Sequence, residues 1–375
     1  MRAVQKAGCK YIMQIGDAGG HTQTSLFTQK ADAMSASGGF DLIFGYRNRT
    51  YAMSEGEVAD EVRKFADAAR RVQKVGCDGV EVTASKGYII HQFLNPMTNR
   101  RRDAYGGDMW KRFRLLREVV EAVRAAVGPE FLFGVRLSAK DFNYLPLDVR
   151  WPPRFLSRER FVGNTLKQTV EYGKELKRLG VDYLHIDSGF GFLNPKGNPG
   201  PYPIDGVKIF LNATRHLSAK AGLRAAVVNA LPTSWARALL GVGWKLEEGV
   251  NADFAAEFKQ QVGLPVIANG GFQRRSLIEQ TLAAGKCDLV AVARPLLANP
   301  DLLKIFETHD VPPNPCTFCS RCCTKTAVLP LGCYEPGRFL DAAGNFDQAA
   351  MERQIMEWSS NTAELDDGDE GVAEV

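Results

Sequence analysis

The sequence predicts an α/β protein of the (β/α)8 barrel class, and three observations carry that prediction. Short β-branched runs alternate along the chain with stretches of helical period. These runs are apolar almost throughout, as parallel strands covered on both faces are. The polar residues among them, Gln14, Thr83, Arg136, Asp187, Asn269 and Arg294, fall at the C-terminal ends of six different runs. A barrel of this kind gathers its chemistry there. The competing α/β architecture, a doubly wound dinucleotide domain, would show GxGxxG after its first strand. No such run occurs.

In order, the expected strands are residues 11–15 (YIMQI), 79–83 (GVEVT), 131–137 (FLFGVRL), 183–187 (YLHID), 265–268 (PVIA) and 289–293 (LVAVA). Between the first two, SEGE at residues 54–57 reads as a capping box opening a helix through FADAARRV that ends before Gly76. Residues 111–127 and 165–179 carry the same apolar stripe, the second stopped by Gly180. Repeated βα units of this length imply right-handed parallel crossovers. Only six strands can be counted, so a closed eight-stranded barrel is two βα units short at the N-terminus.

At 375 residues the chain could hold two average domains or one α/β barrel of about 250 residues. Hydrophobic residues make up 45% and charged residues 24%, which excludes wholesale disorder. The most apolar stretch, residues 225–244, is broken by Pro232 and Arg237, so no transmembrane segment is expected. Net charge is +4, but the last fifteen residues hold six acids and no base, leaving the rest at +10. That excess is too diffuse to argue for nucleic acid. The opening MRAVQKAGCK has no apolar leader, so a cytoplasmic protein is expected. The five histidines are scattered, and no Ser/His/Asp or HExxH arrangement supports a hydrolase.

The run GCDGVEVTASKGYIIHQFLNPMTNRRRDAYGGDMWKRFRLLREVVEAVRAAVG at residues 76–128 resembles the old yellow enzyme family of NADH:flavin oxidoreductases. So do YIMQIGDAGG, FGVRLSA, DYLHIDSG, LPVIANGG and CDLVAVARPLLANPDLL, in the family's order. The resemblance covers residues 1–310. It implies a TIM barrel carrying FMN at its C-terminal mouth, reduced by NADH or NADPH. It also implies that the family's first two strands would precede Met1, through a late start or because the chain is a fragment.

Arg136 matches the fixed cation that such a site places near flavin N1 and the C2 carbonyl. Gln14 matches a hydrogen-bond partner for the pyrimidine edge. Asn269, Gly270 and Gly271, with Ala293 and Arg294, occupy the seventh- and eighth-strand loops, where barrels commonly hold phosphate. Ala293 stands where the family usually has Gly. Tyr88 matches the proton donor to the acceptor carbon. The departures are Thr83 and Lys86, where the family has His and then His or Asn, and Asp17, where it often has His. Lys86 would replace a neutral donor with a point charge suited to an anionic acceptor, or would salt-bridge outside the pocket.

Cys316, Cys319, Cys322, Cys323 and Cys333 fall within eighteen residues. Larger family members carry a [4Fe–4S] cluster in this region, and Cys316, Cys319, Cys323 and Cys333 match its ligands, with Cys322 competing for the third place. Four thiolates suit an iron–sulfur cluster or tetrahedral zinc about equally, and a loop of free thiols is the alternative.

The expected organisation is thus a barrel over 1–310 with a helical insertion near 212–249, a Cys-rich segment at 311–340 and a tail at 341–375, disordered from 361. The expected function is FMN-dependent transfer of hydride from NAD(P)H to an electron-poor small molecule: an activated alkene, a quinone or oxygen. A degenerate flavin-binding barrel without turnover is the alternative. The amphipathic ARALLGVGWKL stretch in the insertion could cap the site, mediate homo-oligomers, touch a membrane surface or simply pack.

Overall fold

The computed structural model describes residues 1–21, 33–40, 49–143, 162–191, 194, 196–217, 219–325 and 330–363. Nine strands occur among them: β1 (Ile12–Ile15), β2 (Ala33–Ser35), β3 (Gly39–Phe40), β4 (Arg49–Ala52), β5 (Gly79–Ala84), β6 (Leu132–Ser138), β7 (Tyr183–Asp187), β8 (Val266–Ala268) and β9 (Leu289–Val290). Six form one all-parallel sheet in the order β1-β5-β6-β7-β8-β9. The expected strands are all present, the last shortened to two residues.

Alternation along these strands separates two faces. Val80, Val82, Phe133, Val135, Leu184 and Ile186 are fully buried. The intervening positions are Glu81, Thr83, Arg136, Tyr183, His185 and Asp187, so the opposite face is polar. Gly134 on that face leaves room for a neighbour: a Cβ there would come within 2.0 Å of the Tyr183 ring.

Local signals set the covering helices. Ser54 and Glu57 form the expected capping box on Glu55–Lys74. Thr165 and Gln168 form a second on Leu166–Arg178, and Asp108 caps Met109–Val127 with bonds to two backbone amides.

A three-stranded sheet, β2-β4-β3, was not expected. The Arg-rich run after the second expected strand holds it. Arg101 donates to the carbonyls of Ala36 and Met53, and Arg100 to that of Gly38.

The chain divides into two units, Met1–Pro199 with Gly243–Phe272 and Ser276–Ala291, and Gly200–Val242 with Gln273–Arg275 and Val292–Val375. This differs from the expected boundary at 310, because residues 200–242 and 292–310 group with the Cys-rich segment. In the second unit, helices Ile204–Thr214, Ala219–Ala230 and Thr233–Leu240 pack together. Tyr334, Phe339, Met351 and Ile355 form a small core. Residues 361–363, expected to be disordered, close the helix Gln348–Ala363; the rest of the acidic tail lies outside the described residues. No helix among the described residues is long and apolar enough to cross a membrane.

Candidate active site

The polar face of the parallel sheet concentrates charge at one end of its strands. On β5, Glu81 is 5% exposed and accepts from Gln14 of β1 at 2.5 Å and from the Tyr183 hydroxyl at 3.0 Å. His185 Nδ1 lies 3.2 Å from both its oxygens. Burial alone would raise the Glu81 pKa, but the hydrogen bonds from His185, Gln14 and Tyr183 outweigh it and hold the carboxyl below its ordinary value.

The chain of contacts continues to β8. Asn251 Nδ2 donates to Asn269 Oδ1 at 2.7 Å, which turns the Asn269 amide nitrogen toward His185 Nε2 at 3.1 Å. His185 thus bridges Glu81 and Asn269.

One register step along the strands lies Arg136. Its Nε and Nη2 both donate to Asp187 Oδ2, at 3.1 and 2.5 Å. Asp187 is 1% exposed. Burial would raise its pKa, but the charges of Lys86 and Arg136 outweigh that and hold it well below the carboxylate range. The Arg136 side chain keeps 24% exposure, and its Nη1 makes no hydrogen bond among the described residues. Arg136 is thus a fixed guanidinium with one end anchored and the other presented to the polar face.

Lys86 forms a buried ion pair with the same carboxylate that anchors Arg136. At φ 55° its side chain turns inward, and Nζ lies 2.9 Å from Asp187 Oδ1 and 3.0 Å from the carbonyls of Ser188 and Gly197. Three partners occupy the three donors of an ammonium. The residue braces Asp187. Thr83 is 4% exposed, and its methyl fills the space that a Cβ on Gly16 would need. Asp17 accepts from the Gly19 amide.

Tyr88 stands at the N-terminus of the short helix Ile89–Leu94. Burial pushes its phenol pKa up, with the charge of Arg136 opposing. Its loop is held from behind. The Gly87 amide donates to His91 Nδ1 at 3.0 Å, and His91 Nε2 lies 2.8 Å from Asp141. His91 is therefore a satisfied interior histidine.

Gly270 and Gly271 follow β8 with φ of 123° and 82°, conformations that side chains rarely adopt. A Cβ on Gly270 would meet Val250 at 2.7 Å, and one on Gly271 would meet Pro199 at 2.6 Å. Beside them Asn251 Oδ1 is buried without a hydrogen-bond partner. These residues fit FMN: a fixed cation, polar strand ends and a buried amide oxygen without a partner.

In the second unit, Ala293 and Arg294 begin the helix Arg294–Ala298. The Arg294 guanidinium lies 4.9 Å from the Phe318 ring centroid and donates to Ser320 Oγ at 2.9 Å. Nearby, Cys316, Cys319, Cys322 and Cys333 line one small pocket with Arg294 and Arg338. Cys322, 8% exposed, lines this pocket, whereas Cys323 is exposed and does not. Burial pushes the thiols of Cys316 and Cys319 up, the latter to about 11. The neighbouring Cys323 sulfur, 3.9 Å away, raises that of Cys322 further. Among the described residues no group of three or more His, Cys, Asp or Glu side chains is arranged to hold a metal ion. The expected cluster or zinc ligand set is therefore not assembled in this structure.

Glu81, His185 and Asn251 escaped the sequence reading. Alternation through Tyr183, His185 and Asp187 was the available signal, since it places His185 on the face of Asp187.

A family model for NADH:flavin oxidoreductase / NADH oxidase matches residues 1–147 and 233–310. The chain is 29% identical over 322 residues to a metal reductase of Desulforamulus reducens, covering 86% of this chain and 38% of that one. It is 27% identical over 299 residues to an NADH oxidase of Thermoanaerobacter brockii, covering 80% and 36%. The chain thus spans less than two-fifths of the length of either relative. The old yellow enzyme homologue from Zymomonas mobilis shares the fold, with a TM-score of 0.55 at 21% identity over 82% of this chain and 69% of that one. The chain belongs to the NADH:flavin oxidoreductase / NADH oxidase family, the old yellow enzymes, whose members are FMN-dependent TIM barrels that draw on NADH or NADPH.

Proposed function

We propose that this chain binds FMN on the polar face of its parallel sheet and passes reducing equivalents from NADH or NADPH to an electron-poor small molecule. Activated alkenes, quinones and oxygen are the candidate acceptors. The observation that carries the reading is Arg136, anchored through Nε and Nη2 to Asp187 on the polar face of the sheet and 24% exposed. A cation fixed there favours negative charge on a bound ligand without reorganisation. FMN supplies the two-electron hydride carrier between nicotinamide and acceptor.

The side chains have separate tasks in this reading. Arg136 offsets charge at the pyrimidine edge and Gln14 hydrogen-bonds it, while Asn269, Gly270 and Gly271 offer the phosphate a close backbone approach. Asp187 and Lys86 hold Arg136 in place. Tyr88, kept protonated by burial, supplies the proton that an alkene needs at the carbon opposite the hydride.

A second reading, flavin binding without turnover, is favoured by Thr83 and Lys86. These residues replace the neutral donor pair of the family, and Lys86 is wholly engaged elsewhere. Two measurements separate the readings. A visible spectrum of the purified protein, with and without added FMN, tests flavin binding, and no bindable flavin would sink both. NAD(P)H consumption by the loaded protein with alkene, quinone and oxygen then tests turnover.

A further inference from the structure

Residues 206–242 carry a surface that flavin chemistry does not use. They contain five bases, Lys208, Arg215, Lys220, Arg224 and Arg237, and no acid. Up to residue 232 they lie outside the region that matches the family.

The helices Ala219–Ala230 and Thr233–Leu240 pack on Ile204–Thr214 with their apolar residues arranged inside out. Ala221, Ala225 and Ala236 are buried, whereas Leu223 is 67%, Val227 56%, Trp235 72% and Leu239 70% exposed. Spacing of four places Leu223 with Val227 on one helix face, and Trp235 with Leu239 on one face of the other. A surface helix of a globular protein normally turns its large apolar side chains inward. Exposed apolar patches of this kind mark a protein or membrane contact.

Charge decides between the occupants. A symmetric contact with a second copy would set like charges together, because the only acid on these three helices, Asp205, already pairs with Arg237 and Arg321. An anionic bilayer surface answers both features: the headgroup boundary takes Trp and Leu, and the lipid phosphates take Lys and Arg. Arg215 is exposed. Arg237, 54% exposed and 3.4 Å from Asp205, makes only a surface pair that a phosphate can replace. We propose that the helices of residues 219–242 form an in-plane docking surface for an anionic lipid bilayer.

The test is sedimentation of the full chain with vesicles of phosphatidylcholine alone and of phosphatidylcholine with phosphatidylglycerol. The expected result is binding to the anionic vesicles only, weakening as salt rises. Leu239→Glu should lower that partitioning about tenfold or more, with its circular dichroism spectrum unchanged. Lipids brominated in the acyl chain should quench Trp235, and the quenching should disappear in Trp235→Phe. Absence of binding to anionic vesicles, or equal binding to both kinds, overturns the proposal. So does self-association that Leu239→Glu abolishes without any vesicle binding.

Discussion

Arg136 and Asp187 meet through one carboxylate oxygen, with Arg136 Nη2 2.5 Å and Nε 3.1 Å from Asp187 Oδ2. The other oxygen is left to Lys86 at 2.9 Å. One buried anion therefore serves two cations with different fates, one turned toward the candidate site and one sealed inside.

Lys86→Met should accordingly act on stability rather than on acceptor choice. Removing one partner of a buried ion pair costs about 3–5 kcal/mol, so a lowered melting temperature is expected, with acceptors of either charge affected alike. A variant of unchanged stability that lost only anionic acceptors would restore Lys86 to the substrate pocket.

Arg136→Ala should weaken FMN binding or lower the flavin's midpoint potential, because the counter-charge to the reduced form is lost. Arg136→Lys keeps the charge but loses the two-donor grip on Asp187, and should fall between. A spectroelectrochemical titration reads the potential, and FMN quenching reads the affinity. If both were unchanged in Arg136→Ala, Arg136 would face away from the flavin.

The acid limb of stability follows from Glu81 and Asp187, both held below their ordinary pKa values. A depressed folded-state pKa stabilises fully above the unfolded value, near 4 for carboxylates. That contribution disappears as pH falls through the lowered value. Urea midpoints should therefore drop below about pH 4.5, and Glu81→Gln should make that drop shallower. An identical pH profile in the variant would show that Glu81 titrates normally.

Tyr88→Phe separates the two half-reactions. General acid catalysis contributes roughly 10²–10⁴-fold, so reoxidation of the reduced enzyme by an alkene should slow by that order. Reduction by NAD(P)H should stay nearly intact, as stopped-flow absorbance would show. Equal damage to both halves would argue against proton donation by Tyr88.

How far these residues were legible depended on how local their signals were. The capping box at Ser54 and the apolar strands declare themselves within a few residues, and each was found. Strands β2 to β4 are two to four residues long, and distant arginines hold them, so no local period marks them. Arg136 was visible as a strand-end cation. Its tie to Asp187 follows from strand alternation, but the fate of Lys86 does not. That depends on a left-handed backbone at residue 86, which no spacing rule announces.

The same limit applies to the thiols and gives the last prediction. Cys322 and Cys323 are adjacent on the five-residue helix Arg321–Lys325, where consecutive side chains point about 100° apart. Sequence spacing admits either one, but the pocket takes Cys322. Maleimide should therefore label the exposed Cys9 and Cys323 quickly at pH 8, while Cys319, its thiol raised to about 11, stays unlabelled. Anaerobic iron, sulfide and zinc analysis should be run alongside. Any bound metal should be lost in Cys322→Ser and retained in Cys323→Ser, because only the former removes a pocket thiol. Loss in Cys323→Ser alone would place Cys323 in the pocket and reverse the assignment. With no metal in either protein, protection of Cys316, Cys319, Cys322 and Cys333 from maleimide until denaturant is added would identify a pocket of shielded thiols.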